Sequence, residues 1–231
     1  MKRYLFLLCS VALLSCSTIK KYKDLPEVKA WEGDIRKFEQ FDKTEKYSRD
    51  AVLFAGSSSI RLWTTLEKDM EPYQVIQRGY GGAKLSDFAV YASRIFSPHT
   101  CKAIVLFVGN DITGSDADKS PRQVASLFRN VLGTIRKTHP DTPVFWIAVT
   151  PTASRWTVWK EIEKANNLIR NICENNRNTY FIRTDFAFLN DNGQPRSEFF
   201  IDDKLHLNQM GYGIWTGIIK RELNKVIPLQ K

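Results

Sequence analysis

Ala51-Val52-Leu53-Phe54-Ala55-Gly56-Ser57-Ser58-Ser59-Ile60 is an apolar run that breaks at a glycine and continues into three serines. The apolar part, Ala51 to Ala55, reads as a buried strand, and the serines present hydroxyls at its carboxyl end. A parallel α/β sheet binds ligands and does its chemistry at that edge. A serine placed there is either a nucleophile or a helix cap, and the run alone leaves both readings open.

Working outward, Val75-Ile76-Gln77 is a short second strand, ended by Gly79-Tyr80-Gly81-Gly82. Ala103 to Val108 is uninterrupted apolar sequence, as expected of a central strand buried on both faces. Val144 to Val149, followed by Thr150-Pro151, makes a fourth strand, and Thr179 to Ile182 a fifth. Ile35, Phe38 and Phe41 recur at three-residue spacing, so a helix leads into the domain. Ser120-Pro121 starts another, with serine as cap and proline in the first turn. Val124, Leu127, Phe128, Val131, Leu132 and Ile135 give it one apolar stripe. Further helices are expected from about Thr157 to Glu174 and from near Asn208, the latter carrying Tyr212, Trp215 and Ile219. Asn190-Asp191-Asn192-Gly193 is a turn. Strands alternating with helices imply a doubly wound parallel sheet, with the loops after strands one to three on a shared edge.

The 231 residues are enough for one domain with a full core and short for two. The net charge is +9, yet lysines and arginines are scattered among acids, and no recognition motif accompanies them. Nucleic acid is therefore not expected as a partner. Lys2 and Arg3 precede an apolar run, Tyr4 to Leu14, that is too short to span a bilayer as a mature helix. Leu13-Leu14-Ser15-Cys16 then resembles the bacterial lipobox, in which cleavage precedes an acylated cysteine; a cleaved secretory peptide with a chance cysteine is the alternative. The expected organisation is a signal peptide over 1–15, a lipidated, lysine-rich tether over 16–30 and one domain over 31–231. Such a protein is anchored to a membrane through Cys16, outside the cytoplasm, on the periplasmic or cell-surface side. Cys9 is then lost, leaving Cys101 and Cys173 either as a disulfide, which that compartment permits, or as two separate buried thiols. No cysteine pair has metal-ligand spacing.

Asp203-Lys204-Leu205-His206 places a carboxylate three residues before an imidazole. In an irregular loop that spacing lets the carboxylate reach one ring nitrogen and leaves the other free as a base; an ordinary surface pair before a helix is the alternative. His99 and His139 sit beside prolines just before strands, which puts them at the opposite edge of the sheet, away from chemistry. Asn110, in Gly109-Asn110-Asp111 at the end of the central strand, offers an amide donor to a developing oxyanion or supports a turn. Gly81-Gly82 allows close approach of a backbone N–H. The segment fails as a dinucleotide fingerprint, because Lys84 occupies the sixth position after Gly79 and Gly81.

Taken together, these blocks resemble the SGNH, or Gly-Asp-Ser-Leu, hydrolase family, including its platelet-activating-factor acetylhydrolase type. The matching blocks are Phe54 to Ile60, Arg78 to Gly82, Gly109-Asn110-Asp111, and Asp203 to Asn208 followed by Gly211-Tyr212. The resemblance spans about Trp31 to Leu223. It implies a flavodoxin-like three-layer α/β/α sandwich around a five-stranded parallel sheet. It makes Ser58 the nucleophile, His206 the general base and Asp203 the orienting acid, with Ser58 N–H, Gly82 N–H and the Asn110 side chain as oxyanion hole. It implies no cofactor and no metal. The chain departs from the family at Ser57, where an aspartate usually precedes the nucleophile. Tyr80, Arg155 and Trp156, with Trp159 beside it, are candidate substrate contacts; Arg61 and Trp63 are expected to pack the first helix or lie at the surface. The expected function is serine esterase, acting on O-acetylated carbohydrate or another small acyl ester. A lysophospholipase or thioesterase and a non-catalytic glycan-binding lipoprotein are the alternatives; the last predicts a broken triad, whereas all three triad positions are filled.

Overall fold

The computed structural model describes residues 19–228; the expected signal segment and Cys16 lie outside the described residues. Five strands form one sheet: β1 Val52–Gly56, β2 Val75–Gly79, β3 Ala103–Phe107, β4 Val144–Ile147 and β5 Thr179–Ile182. Their order is β2-β1-β3-β4-β5, and every pairing is parallel. The main helices are α1 Glu32–Thr44, α2 Ser58–Arg61, α3 Leu85–Phe96, α4 Pro121–Thr138, α5 Trp159–Glu174 and α6 Gln209–Val226.

The two-residue period of the strands sorts the core into two layers. Leu53, Ala55, Ile104, Leu106 and Trp146 face α3, α4 and α5, where Phe128 meets Trp146 at 4.9 Å between ring centres. Val52, Phe54, Val105, Phe107 and Phe145 face α2 and α6. There Trp215 packs edge-on against Phe107 at 4.8 Å, and Trp63 stacks on Tyr212 at 5.1 Å. Apolar strands thus have both faces covered, as the expected three-layer α/β/α sandwich requires.

Helix α3 is an element that the strand and glycine reading passed over. It buries Leu85, Phe88, Ala89, Ala92, Ile95 and Phe96 along one side. Two carboxylates hold its first free N–H groups: Asp87 accepts from Lys84 N at 2.9 Å and Asp111 from Leu85 N at 2.8 Å. Because Asp111 follows Asn110 on the β3 loop, this bond fixes the glycine loop after β2 against the loop after β3.

The tether expected over 16–30 needs correction. Residues 19–23 are helical, and Ile19, Tyr22 and Leu25 pack against the core, with Val28 fully buried. Apolar residues three apart among lysines cover one side of these turns, so the packed unit begins by Ile19 rather than at residue 31. Cys101 and Cys173 are separate buried thiols, each pushed up to about 12 by burial. His99 and His139 lie at the amino-terminal edge of the sheet, where His139 Nε2 meets the His99 carbonyl at 2.9 Å.

Candidate active site

β1 ends where its neighbours crowd it. A Cβ at Gly56 would run into the Phe107 carbonyl oxygen, so glycine is needed for β1 to lie this close to β3. Ser57 N–H then donates to that same carbonyl at 2.9 Å. This anchors the buried Ser57, where the family resemblance expects aspartate, and delivers Ser58 as the first residue of α2.

Ser58 Oγ lies 2.8 Å from His206 Nε2, across 148 residues of sequence, and His206 Nδ1 lies 2.6 Å from Asp203 Oδ2. Local bonds shape the loop that carries the last two. Asp203 Oδ1 accepts from the backbone N–H groups of Leu205 and His206, both at 2.9 Å, while Lys204 adopts a left-handed φ of 55°. The Asn208 side chain caps α6 by accepting from Gly211 N at 3.1 Å, and its amide donates to the carbonyls of Glu198 and Phe200. Tyr212 OH reaches back from α6 to the Ser59 carbonyl at 2.9 Å, tying this loop to the serine turn.

The protons follow from the partners. An ionised carboxylate only accepts, so His206 carries its hydrogen on Nδ1 and presents an Nε2 lone pair to the Ser58 hydroxyl. Burial works to raise the Asp203 carboxyl. Hydrogen bonds from the His206 backbone and ring and from Leu205 N–H outweigh it, and the group stays below the usual carboxylate range.

Three groups are the candidate oxyanion donors: Ser58 N–H, Gly82 N–H and the Asn110 side chain. Gly82, in the loop after β2, has a φ of 69°, a conformation that favours glycine. Among the described residues no acceptor takes the Ser58 or Gly82 N–H. Asn110 Nδ2 donates one hydrogen to the Ala83 carbonyl at 3.0 Å, which leaves its second for a substrate oxygen. A cavity of about 20 Å³, room for roughly one water, lies beside Ser58 and is lined by Ser58, Phe107, Asn110, Val149, Thr150 and His206 among others.

The structure thus brings together Ser58, Asn110, Asp203 and His206; Gly82 stands in the loop after β2, and its place in the oxyanion hole belongs to the proposal below. The candidate substrate contacts fare differently. Tyr80 is fully buried, stacked on Phe88 at 5.2 Å and tilted against Trp31 at 5.2 Å, so it is core and not a substrate contact. Trp156 stacks on Trp159 at 6.1 Å, packs against the core and does not line the cavity. Arg155 does line it, but its guanidinium bonds to Asn110 Oδ1 and the Gly109 carbonyl. Sequence reasoning missed that link, and missed Trp31, whose ring edge lies 3.3 Å from where a Gly82 Cβ would stand. Arg61 and Trp63 fall as expected: Trp63 is buried and Arg61 exposed.

Residues 44–214 match the GDSL-like lipase/acylhydrolase family. The comparison with curated proteins returned no match. Among solved structures, a Streptococcus pneumoniae protein described as a platelet activating factor is similar at 17% identity, covering 94% of this chain and 99% of its own, with a TM-score of 0.73. A GDSL-like lipase from Bacteroides thetaiotaomicron is similar at 15% identity, covering 84% and 98%, with a TM-score of 0.69. A variant of an acetyl-xylooligosaccharide esterase from Geobacillus is similar at 12% identity, covering 80% and 98%, with a TM-score of 0.64. At these identities the structures establish a shared fold. The family match runs from ahead of the serine turn to beyond the Asp203–His206 loop, and with it the chain belongs to the GDSL-like lipase/acylhydrolase family and is a carboxylic ester hydrolase.

Proposed function

We propose that this hydrolase is a serine esterase that removes small acyl groups, acetyl foremost, from carbohydrate hydroxyls. The unbroken hydrogen-bond chain from Ser58 through His206 to Asp203 carries the reading. Ser58 Oγ attacks the ester carbonyl carbon while His206 Nε2 takes the hydroxyl proton. The carbonyl oxygen becomes an oxyanion held by Ser58 N–H, Gly82 N–H and Asn110 Nδ2, and a donor of this kind is worth about 10²–10³ in turnover. His206 returns the proton to the departing sugar alkoxide, which leaves an acyl-Ser58. A water molecule, deprotonated by the same nitrogen, then attacks and releases the acid. Asp203, ionised well below neutrality, steadies the imidazolium in both halves.

The acyl preference rests on the room beside Ser58. The opening of about 20 Å³ beside Ser58, with Phe107 and Val149 among its lining residues, is of a size that suits an acetyl methyl group better than a fatty acyl chain. The Geobacillus neighbour, an acetyl-xylooligosaccharide esterase, supports the same substrate class. The membrane anchor is part of the proposal. The basic start, the apolar Tyr4 to Leu14 and the Leu13-Leu14-Ser15-Cys16 junction support removal of 1–15 and acylation of Cys16, on the outer side of a membrane.

Hydrolysis of 4-nitrophenyl esters from acetate to octanoate, beside acetylated xylo-oligosaccharides and lysophospholipid, tests this. The acetyl esters should be the best substrates, kcat/KM should fall at least about tenfold by butyrate, and Ser58→Ala should lose about 10³-fold or more. Rates that rise toward octanoate or lysophospholipid would overturn the acyl assignment. A Ser58→Ala variant of undiminished activity would overturn the site.

A further inference from the structure

Asn110 stands after β3 and Arg155 in the turn Ala153–Val158 after β4, and pairing of β3 with β4 brings the two loops together. Arg155 Nη2 donates to Asn110 Oδ1 at 2.6 Å, and Nη1 donates to the Gly109 carbonyl. Both bonds of this half-buried guanidinium therefore go to one dipeptide of the β3 loop. Among the described residues no carboxylate makes an ion pair with it: Asp111 is engaged with Lys119, and Asp118 with Thr113, Gly114 and Ser115. A partly desolvated cation bound only to neutral oxygens is costly to keep, so its position calls for a reason.

The amide of Asn110 supplies one. Its two ends have nearly the same shape, and which end faces the cavity decides whether a substrate oxygen meets a donor or an acceptor. Arg155 can only donate and takes Oδ1. The Ala83 carbonyl can only accept and takes one Nδ2 hydrogen, at 3.0 Å. A flipped amide would lose both bonds and set NH₂ against guanidinium and oxygen against oxygen. Only the observed orientation satisfies both neighbours, and it leaves the second Nδ2 hydrogen for the cavity that holds Ser58 and His206. The charged donor on Oδ1 also draws electron density from the amide, which makes that hydrogen a better partner for an anion.

We infer that Arg155 is a positioning residue for ester hydrolysis: it locks Asn110 with its NH₂ toward the developing oxyanion and lends that donor positive charge. The inference rests on the proposed role of Asn110 in the oxyanion hole. It differs from a substrate contact, because Arg155 acts through Asn110 and is needed in the transition state rather than in the bound ester.

A double-mutant cycle on 4-nitrophenyl acetate tests it, using Asn110→Ala, Arg155→Met and the pair. Arg155→Met should lower kcat by about 10- to 100-fold with KM within twofold. In the Asn110→Ala background the same change should cost less than threefold, since the route through Asn110 is already gone. Arg155→Lys, which cannot span both oxygens, should stay at least fivefold below wild type with an ordinary KM. It also serves as the informative variant should Arg155→Met fail to fold. Equal losses in both backgrounds, a loss confined to KM, or wild-type kcat in both Arg155 variants would overturn the inference. If Asn110→Ala itself keeps wild-type kcat, the oxyanion reading fails; if Asn110→Ala loses turnover while the Arg155 variants keep it, this inference alone fails.

Discussion

Asp203→Asn puts the proton logic of the site under direct strain. Asp203 uses both its oxygens in the triad loop: Oδ1 takes Leu205 N–H and His206 N–H, both at 2.9 Å, and Oδ2 takes His206 Nδ1–H at 2.6 Å. Asparagine keeps one oxygen. If that oxygen stays on the two backbone donors, NH₂ faces Nδ1, the ring hydrogen moves to Nε2, and His206 can no longer accept the Ser58 proton. If the amide flips, the ring keeps its tautomer but two charge-assisted backbone bonds are lost. Such bonds contribute about 1.5–3 kcal/mol each, and because the Asp203 side chain is 42% exposed, the low end applies. Two of them amount to about 3 kcal/mol, or roughly 10²-fold in rate. Loss of the charge opposite the imidazolium adds to this, toward the ~10⁴-fold that removal of a triad carboxylate brings through the wrong tautomer. Steady-state kinetics on 4-nitrophenyl acetate between pH 6 and 9 should therefore show kcat lowered by about 10²–10⁴-fold, with KM within threefold. A kcat within fivefold of wild type would refute the reasoning, because His206 would then owe its tautomer to something other than Asp203.

Asp87 gives a prediction about stability. It is buried at the start of α3, and loss of solvent pushes its carboxyl from 3.8 up to about 6. A folded-state pKa above the unfolded one means that the folded chain favours the protonated form. The contribution of this group is then most favourable below about pH 4 and declines as pH rises through 6. At 1.36 kcal/mol per unit, the ionised group costs up to about 3 kcal/mol at pH 8. Asp87→Asn keeps an acceptor for Lys84 N–H and should raise Tm at pH 8, with the gain shrinking below pH 5; a variant less stable than wild type at pH 8 would contradict this. For the anchor, Cys16→Ser should abolish incorporation of labelled palmitate and release the protein from the membrane fraction. Unchanged labelling would place the lipid elsewhere.

The sheet was legible because each strand is a short apolar run bounded by turn residues, and Ala103–Phe107, buried throughout, reads without ambiguity. Ser58, Asn110, Asp203 and His206 were legible because each sits at a strand end or in a short local motif. Residues whose meaning depends on a distant partner were harder. Helix α3 has a clear apolar stripe, but it follows directly on a glycine loop that draws attention first. Tyr80 has the polar tip of a ligand contact, and only the approach of Trp31 and Phe88 from two other elements shows it to be core. Ile19, Tyr22, Leu25 and Val28 recur every third residue, yet the lysines between them give the segment the composition of a tether. Arg155 reads as a substrate contact until β3 and β4 pair and place Asn110 within 2.6 Å of it.

The account turns on Ser58 as the nucleophile among three adjacent serines. Treatment of the protein with a fluorophosphonate, followed by peptide mass mapping, tests that most directly. The geometry predicts one adduct, on Ser58, retained in Ser57→Ala and Ser59→Ala, absent from Ser58→Ala and formed much more slowly in His206→Ala. An adduct on Ser57 or Ser59, or no adduct at all, would contradict it.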